Sequence, residues 1–216
     1  MIIKNFELDK INIKNFNLFL FYGDNQGFKD EIVEKICQQK DLKKTLYFEK
    51  EVLSNTENFL NSISTKSFFE NEKIIVIKNA TDKLKEIIND IYELQNPDIT
   101  VILISDLLEK KSKLRNFFEK TNNVICIPFY PDEHKDLNMI ANNFFKKKDI
   151  KISQQTINLI IDRANQSRQH LNNELQKIEN FALNKKEIKD VDIIKLTNLG
   201  KNYEISELVE TCLAKN

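Results

Sequence analysis

The sequence predicts a parallel α/β sheet followed by a separate all-helical unit. Three observations carry this. Short continuous apolar runs (Leu18–Tyr22, Ile74–Ile77, Val101–Ile104) alternate with amphipathic helical stretches up to about residue 130. No strand pattern occurs after Pro131, where apolar residues fall at helical spacing only. The chain has 216 residues, long for one compact domain and comfortable for two.

In order, Met1–Asn17 reads as a short strand or arm with alternating apolar residues, and Leu18–Tyr22 as a strand buried on both faces. Lys29–Lys40 is an amphipathic helix with Ile32, Val33 and Ile36 on one face, and Thr45–Phe48 a second strand. Thr56–Ile63 is helical, with Ser54 or Asn55 as its N-cap. Lys73–Lys78 is β-branched and a strand. Thr81–Leu94 is a helix, Thr100–Ser105 a strand, Ser112–Glu119 a helix and Val124–Ile127 the last strand, ended by Pro128 and Pro131.

Beyond it, Asp132–Lys147, Ser153–Arg163, Arg168–Phe181 and Val191–Leu196 read as four helices, with Ser153 and Asp190 as N-caps. Tyr203–Leu213 begins another amphipathic helix close to the end of the sequence. The expected division is therefore 1–131 for the α/β domain, 132–200 for the helical domain and 201–216 for the start of a further one. A helix as short as the last is marginal without a partner.

Composition narrows the function. Apolar residues make up 41%, enough for a core, and the 33 basic and 33 acidic residues cancel to a net charge of zero. That balance argues against a protein that coats nucleic acid by bulk charge. The three cysteines, Cys37, Cys126 and Cys212, are far apart and form no C-x-x-C pair, which speaks against a zinc module or disulfide framework and fits a reducing, cytoplasmic setting. No secretory signal or membrane-spanning run is recognisable. His134 and His170 lie on polar helical stretches without Cys or acidic partners at ligand spacing, and no Ser/His/Asp or Cys/His constellation can be placed. No catalytic residue, metal or cofactor is expected.

The stretch Gly23-Asp24-Asn25-Gln26-Gly27-Phe28-Lys29-Asp30 lies where a strand meets a helix, the position of a G-x-x-x-x-G-K-[ST] phosphate loop. Gly23 and Lys29 match it. Phe28 replaces the second glycine and Asp30 the Ser/Thr whose hydroxyl would serve Mg²⁺. Later strands supply no acidic pair: Ile74–Ile77 runs into Lys78 and Asn79, and Thr100–Ile104 into Ser105 and Asp106. With two elements altered, the residues read as an NTPase-like fold without catalysis. A basic surface is a further candidate: Lys78, Lys110, Lys111, Lys113 and Arg115 could face DNA.

Taken together the chain resembles the first two domains of the delta subunit of the bacterial DNA polymerase III clamp loader. The segments that carry the resemblance occur in order: FLFYGDNQGFKDEIVEKI for the opening strand and degenerate phosphate loop, SISTKSFFENEKIIVIKNA for the Ser-Leu-Phe segment and its strand, and TVILISDLLEKKSKLRNFFEK for a strand with its basic helix. FYPDEHKDLNMIANNFFKKKDIKIS resembles the crossing into the lid domain, LNNELQKIENFAL its Glu-Leu-x-Lys-Leu helix and YEISELVE the opening of the collar domain. Lys73 stands where the family often has Arg, and Asp149 where it often has Gly.

The resemblance implies an AAA+ fold, α/β with a helical lid, and a mechanical role: binding the ring-shaped beta sliding clamp and opening it for loading onto primed DNA, without ATP hydrolysis. It implies a non-catalytic subunit of the DNA polymerase III holoenzyme, whose complex-level activity is DNA-directed DNA polymerase. The gamma/tau ATPase and delta-prime would be partner subunits, and primed DNA would be met through the assembled complex. The intact G-K-[ST] and cysteine zinc module of the ATPase relative, and the Ser-Arg-Cys motif of delta-prime, do not occur here. Ser67, Phe68 and Phe69 fall on the clamp-binding segment, and Phe68 and Phe69 on the Leu-Phe pair that enters a pocket on the clamp. With the collar largely lacking, this chain alone is expected to be monomeric. A genuine ATPase and a nucleic-acid-binding module on the same fold are the competing readings.

Overall fold

The computed structural model describes residues 15–64, 72–183, 189–196 and 213–214. Two compact units divide between Tyr130 and Pro131. The expected arm up to Lys14, Ser67–Phe69 and the helix from Tyr203 lie largely or wholly outside the described residues.

The first unit is built on a five-stranded sheet of β1 (Leu18–Tyr22), β2 (Lys44–Phe48), β3 (Lys73–Lys78), β4 (Ile99–Ser105) and β5 (Ile125–Pro128). Their order across the sheet is β2-β3-β4-β1-β5, and every pairing is parallel. Parallel neighbours require crossovers, and helices supply them on both faces. On one face Phe19, Phe21, Ile74, Val76, Ile102, Ile104, Ile125 and Ile127 pack under Ile32, Val33 and Ile36 of α1 (Gln26–Lys40). Their neighbours in sequence, Leu20, Tyr22, Ile75, Ile77, Val101, Leu103 and Cys126, point the other way. They meet α2 (Glu49–Ser54), α3 (Thr56–Ser64), α4 (Lys85–Glu93) and α5 (Lys113–Lys120) through Val52, Phe59, Ile63, Ile88, Leu114 and Phe118. Burial on both faces is why the central strands read as unbroken apolar runs. Each such side chain contributes about 1.5–3 kcal/mol on burial. Among the described residues β2 lies at an edge of the sheet, and its residues are exposed apart from the partly buried Tyr47.

Several boundaries differ from expectation for local reasons. α1 begins at Gln26, three residues before Lys29, because Asn25 caps it: the Asn25 side chain accepts from the Phe28 amide at 3.1 Å. α2 has no counterpart in the sequence reading. It starts where Glu51 accepts from the Phe48 amide at 2.7 Å and ends at Asn55, whose carbonyl accepts from the Phe59 amide as α3 begins. The helix expected from Thr81 opens instead as a 3-10 turn, Asp82–Leu84, before α4.

The second unit, as described, is helical: α6 (His134–Lys147), α7 (Gln154–Arg163), α8 (Arg168–Ala182) and α9 (Asp190–Leu196). Leu137, Ala141, Phe145, Ile157, Ile160, Ile161, Leu171, Leu175, Ile178 and Ile193 form its core. Ser153 caps α7 through its hydroxyl, and Thr156 Oγ1 in the first turn of α7 donates to Asp190 Oδ2 at 2.9 Å, joining α9 to that end. The hydrogen bonds from Ser153 and Thr156 hold the Asp190 carboxyl below its usual range. Asp132 forms a buried bidentate ion pair with Arg168 at the start of α8.

Candidate functional site

β1 ends at Tyr22 and the chain turns at Gly23, whose φ of 117° suits glycine alone. A Cβ there would lie 2.3 Å from the Phe129 carbonyl oxygen. The glycine is thus required by the backbone of Phe129, whatever else the loop meets. Gly23 N donates to Asp106 O at 3.2 Å, and Phe129 N donates to Tyr22 O at 2.7 Å.

Asn25 is 7% exposed and works in two directions. Its Oδ1 satisfies the Phe28 amide, one of the donors at a helix N-terminus that a phosphate would otherwise meet. Its Nδ2 donates to Tyr130 O at 3.0 Å, and its backbone N to Phe129 O at 3.3 Å. Phe28, at the position of the second phosphate-loop glycine, sets its ring edge against Phe129, centroids 5.2 Å apart. Gly27 is buried.

Lys29 holds the sequence position of a phosphate-cradle lysine. Its side chain is instead turned inward and only 1% exposed. Nζ donates to Gly23 O at 2.7 Å and Ser105 O at 2.9 Å. Burial lowers its pKa, opposed by the nearby Asp106, Asp30 and Asp24 carboxylates. Asp30 accepts from Gln26 Nε2 at 2.9 Å and faces Lys78 Nζ at 3.8 Å. Lys78, the last residue of β3, therefore stands beside the carboxylate that replaces the Mg²⁺-binding hydroxyl. Ser105 Oγ donates to Ala80 O at 2.6 Å, and Asp106, the acid that directly follows β4, is exposed. No cluster of three or more His, Cys, Asp or Glu suited to a metal occurs among the described residues.

The basic residues expected to face DNA separate into two kinds. Lys110, Lys111 and Lys113 are exposed, Lys111 beside Glu109 at 2.9 Å. Arg115 is engaged within its own unit. Its Nε donates to Glu119 at 2.7 Å, its guanidinium to Leu108 O at 2.9 Å, and it lies 5.0 Å over the Tyr22 ring. The bond to Glu119 raises the Arg115 pKa, and burial pushes the Tyr22 hydroxyl up to about 12.

Ser67, Phe68 and Phe69 fall outside the described residues. Their flanks are described: α3 ends at Ser64 and β3 begins at Lys73. Beside those flanks is an open cleft of about 790 Å³, lined by Lys40, Lys43, Thr45, Tyr47, Lys73 and Ile75 among others.

No family model matches the sequence, and neither does any curated protein. Solved structures do match. The Bacillus subtilis DNA clamp loader delta protein superposes with a TM-score of 0.55 at 16% identity, over 83% of this chain and 57% of that one. The RuvB Holliday junction branch migration motor of Thermotoga maritima gives 0.53 at 12% identity, over 85% and 61%. A single-residue variant of that same RuvB gives 0.56 at 13% identity, with the same coverage. The chain spans less than two thirds of the length of each of these structures. At such identities the likeness concerns the fold alone: the first unit is a parallel α/β fold like that of the clamp loader delta protein and of RuvB. No helix among the described residues is long and apolar enough to cross a membrane.

Proposed function

We propose that this chain is a clamp-loader subunit of the delta type, which binds a ring-shaped sliding clamp and opens it without hydrolysing ATP. The observation that carries the reading is the internal capture of Lys29 by Gly23 O and Ser105 O. A P-loop lysine acts by reaching the β- and γ-phosphates. Here the same side chain ties β1 and β4 to α1, and Lys78 pairs with the carboxylate of Asp30 where a hydroxyl would hold Mg²⁺. An AAA+ fold rewired in this way fits a role that is mechanical, in which partner ATPase subunits of the gamma/tau kind and a delta-prime subunit drive the cycle. The likeness to a clamp loader delta protein supports that role over that of a motor.

Clamp contact is assigned to Ser67, Phe68 and Phe69, from the resemblance of that segment. An aromatic seated in a pocket is a hot spot whose truncation costs about 2–4 kcal/mol. Titration of the sliding clamp into the wild type and into the Phe68→Ala, Phe69→Ala double variant tests the assignment. Affinity should fall roughly a hundredfold, each 1.4 kcal/mol being tenfold, with circular dichroism unchanged. Equal affinities would remove the site, and a collapsed fold would mean the two rings belong to the core.

The reading of a genuine ATPase keeps one argument, since RuvB, with the same fold, is a motor. Calorimetry with Mg-ATP separates the two: micromolar binding would favour the enzyme.

A further inference from the structure

We propose that the loop between β1 and α1 has become a latch on the segment by which the chain leaves the α/β unit, with Asn25 as its positioning residue. Three side chains or backbone groups of the loop converge on the last two residues of that unit. Gly23 lies against the Phe129 carbonyl so closely that any Cβ would overlap it. Phe28 packs edge-to-face on the Phe129 ring, which is itself fully buried and also meets Phe21 at 5.2 Å. Asn25 grips the backbone twice, Nδ2 on Tyr130 O and N on Phe129 O. The next residue, Pro131, opens the second unit.

One of the donors involved, the backbone N–H of Asn25, is of the kind a phosphate loop turns to an anion. That N–H and the side-chain amide of the same residue, which caps α1, are both bound to backbone carbonyls of this exit segment. Lys29 holds the same loop from inside through Gly23 O. In a two-state element a bound ligand shifts the balance only by differential contacts with the two states. Here the contacts that would favour one loop state are made by the protein itself, so the exit segment is fixed without nucleotide. This stands whether or not the chain engages a clamp.

Asn25 has two roles that substitution can separate. Ser caps a helix about as well as Asn does, so Asn25→Ser keeps an acceptor for the Phe28 amide, adds no charge and gives up the donor to Tyr130 O. Asn25→Ala gives up both. The experiment is hydrogen–deuterium exchange over residues 125–137, read beside thermal melts. In Asn25→Ser, thermal stability should stay within a few degrees of wild type, and exchange in the exit segment should quicken about tenfold or more. Asn25→Ala should add a loss of protection in the first turn of α1. Mg-ATP at millimolar concentration should leave wild-type exchange in the segment unchanged. Unaltered exchange in Asn25→Ser would overturn the latch, because the cap alone would then account for Asn25. Exchange that changes on adding Mg-ATP to the wild type would overturn it as well, since the loop would then still answer to nucleotide.

Discussion

The ammonium of Lys29 lies 2.9 Å from the carbonyl oxygen of Ser105, a residue 76 positions further along the chain. This bond joins the first turn of α1 to the end of β4, and its companion to Gly23 O closes the loop between β1 and α1. A buried cation with two carbonyl acceptors is costly to leave half-made.

The first expectation follows directly. Lys29→Ala should destabilise the protein by about 3–5 kcal/mol, combining a cavity with two orphaned carbonyls. Lys29→Met refills most of the volume and removes the buried charge, and should cost less. The pH dependence has a definite sign. The folded pKa of Lys29 is lowered, so between it and 10.5 the unfolded chain binds more protons than the native one. This residue's contribution to stability therefore rises with pH through that window and is constant below it. The unfolding free energy of wild type relative to Lys29→Met should grow as pH is raised towards 10.5, by chemical denaturation at matched ionic strength. Tyr22 and Cys126, both pushed up to about 12 by burial, act in the opposite sense, but they are common to both proteins and cancel in the difference. A difference that shrinks with pH would show that Lys29 is not a buried cation.

Much of this loop was legible in the sequence, and its meaning was not. The apolar run Leu18–Tyr22, Gly23 and the helix after it mark a strand, a turn and a helix unambiguously. The phosphate-loop template, however, assigns Lys29 to a ligand by position, whereas its acceptor on Ser105 is fixed only once β4 lies beside β1. Asn25 could have been found as a cap, since Asn immediately before a helix start is a recognised signal. α2 was missed because Glu49–Ser54 is a single short stretch with one fully buried apolar residue, Val52, too little for a period to show. In the sequence Arg115 reads as one of a run of equivalent cations at the start of a basic helix and just before it. Its difference from Lys113 comes from the Tyr22 ring and the Leu108 carbonyl, neither of which is local in the helical pattern.

Gly23→Ala gives a second test of what the loop is for. What separates this loop from a ligand cradle is that the space beside its glycine is already filled by protein. Gly23 meets the Phe129 backbone and has a positive φ. The substitution should therefore cost about 3 kcal/mol or more without any ligand present, from strain and displacement of Phe129 together. Thermal denaturation of the two proteins in nucleotide-free buffer checks this. A change of melting temperature within error would mean that the loop relaxes freely.

The N-terminus of α5 carries a third. Ser112 is its N-cap, accepting from the Arg115 amide at 3.1 Å, and Asp82 Oδ1 accepts from the Leu114 amide at 3.0 Å and from the Ser112 hydroxyl. Burial alone would raise the Asp82 carboxyl, but the bonds from Ser112, Leu114 and Lys113 outweigh it and hold the carboxyl below 3.8. Asp82→Ala should cost about 1 kcal/mol at neutral pH. That contribution should be complete above pH 3.8 and vanish as pH falls through the lowered folded value. Because the two side chains share a hydrogen bond, Asp82→Ala and Ser112→Ala should not add, and a double-mutant cycle by urea denaturation should show coupling of about 0.5 kcal/mol or more. Strict additivity would make Asp82 a bystander.

The fourth concerns the basic face, where exposure divides residues that the sequence grouped together. Lys110, Lys111 and Lys113 project from the surface, while Arg115 is held by Glu119, Leu108 and Tyr22. A phosphate contact by an exposed lysine releases about 0.9 counterion on duplex DNA, so each lost contact flattens the salt dependence of binding by nearly one. We propose that primed DNA, if held by this face within an assembled loader, is held by the three lysines. Replacing all three by Gln should lower the log–log salt slope of DNA binding by about 2–3 and leave the melting temperature unchanged. Arg115→Gln should do the reverse. Losing a charge-assisted bond to Glu119, a backbone bond and a ring contact should lower stability by about 1–3 kcal/mol, while the salt slope of the folded protein stays as in the wild type. Filter binding across a salt series, paired with thermal melts, reads both effects. A slope unchanged by the triple substitution would remove this face from DNA contact, and a slope reduced by Arg115→Gln at unchanged stability would return Arg115 to the DNA-facing set.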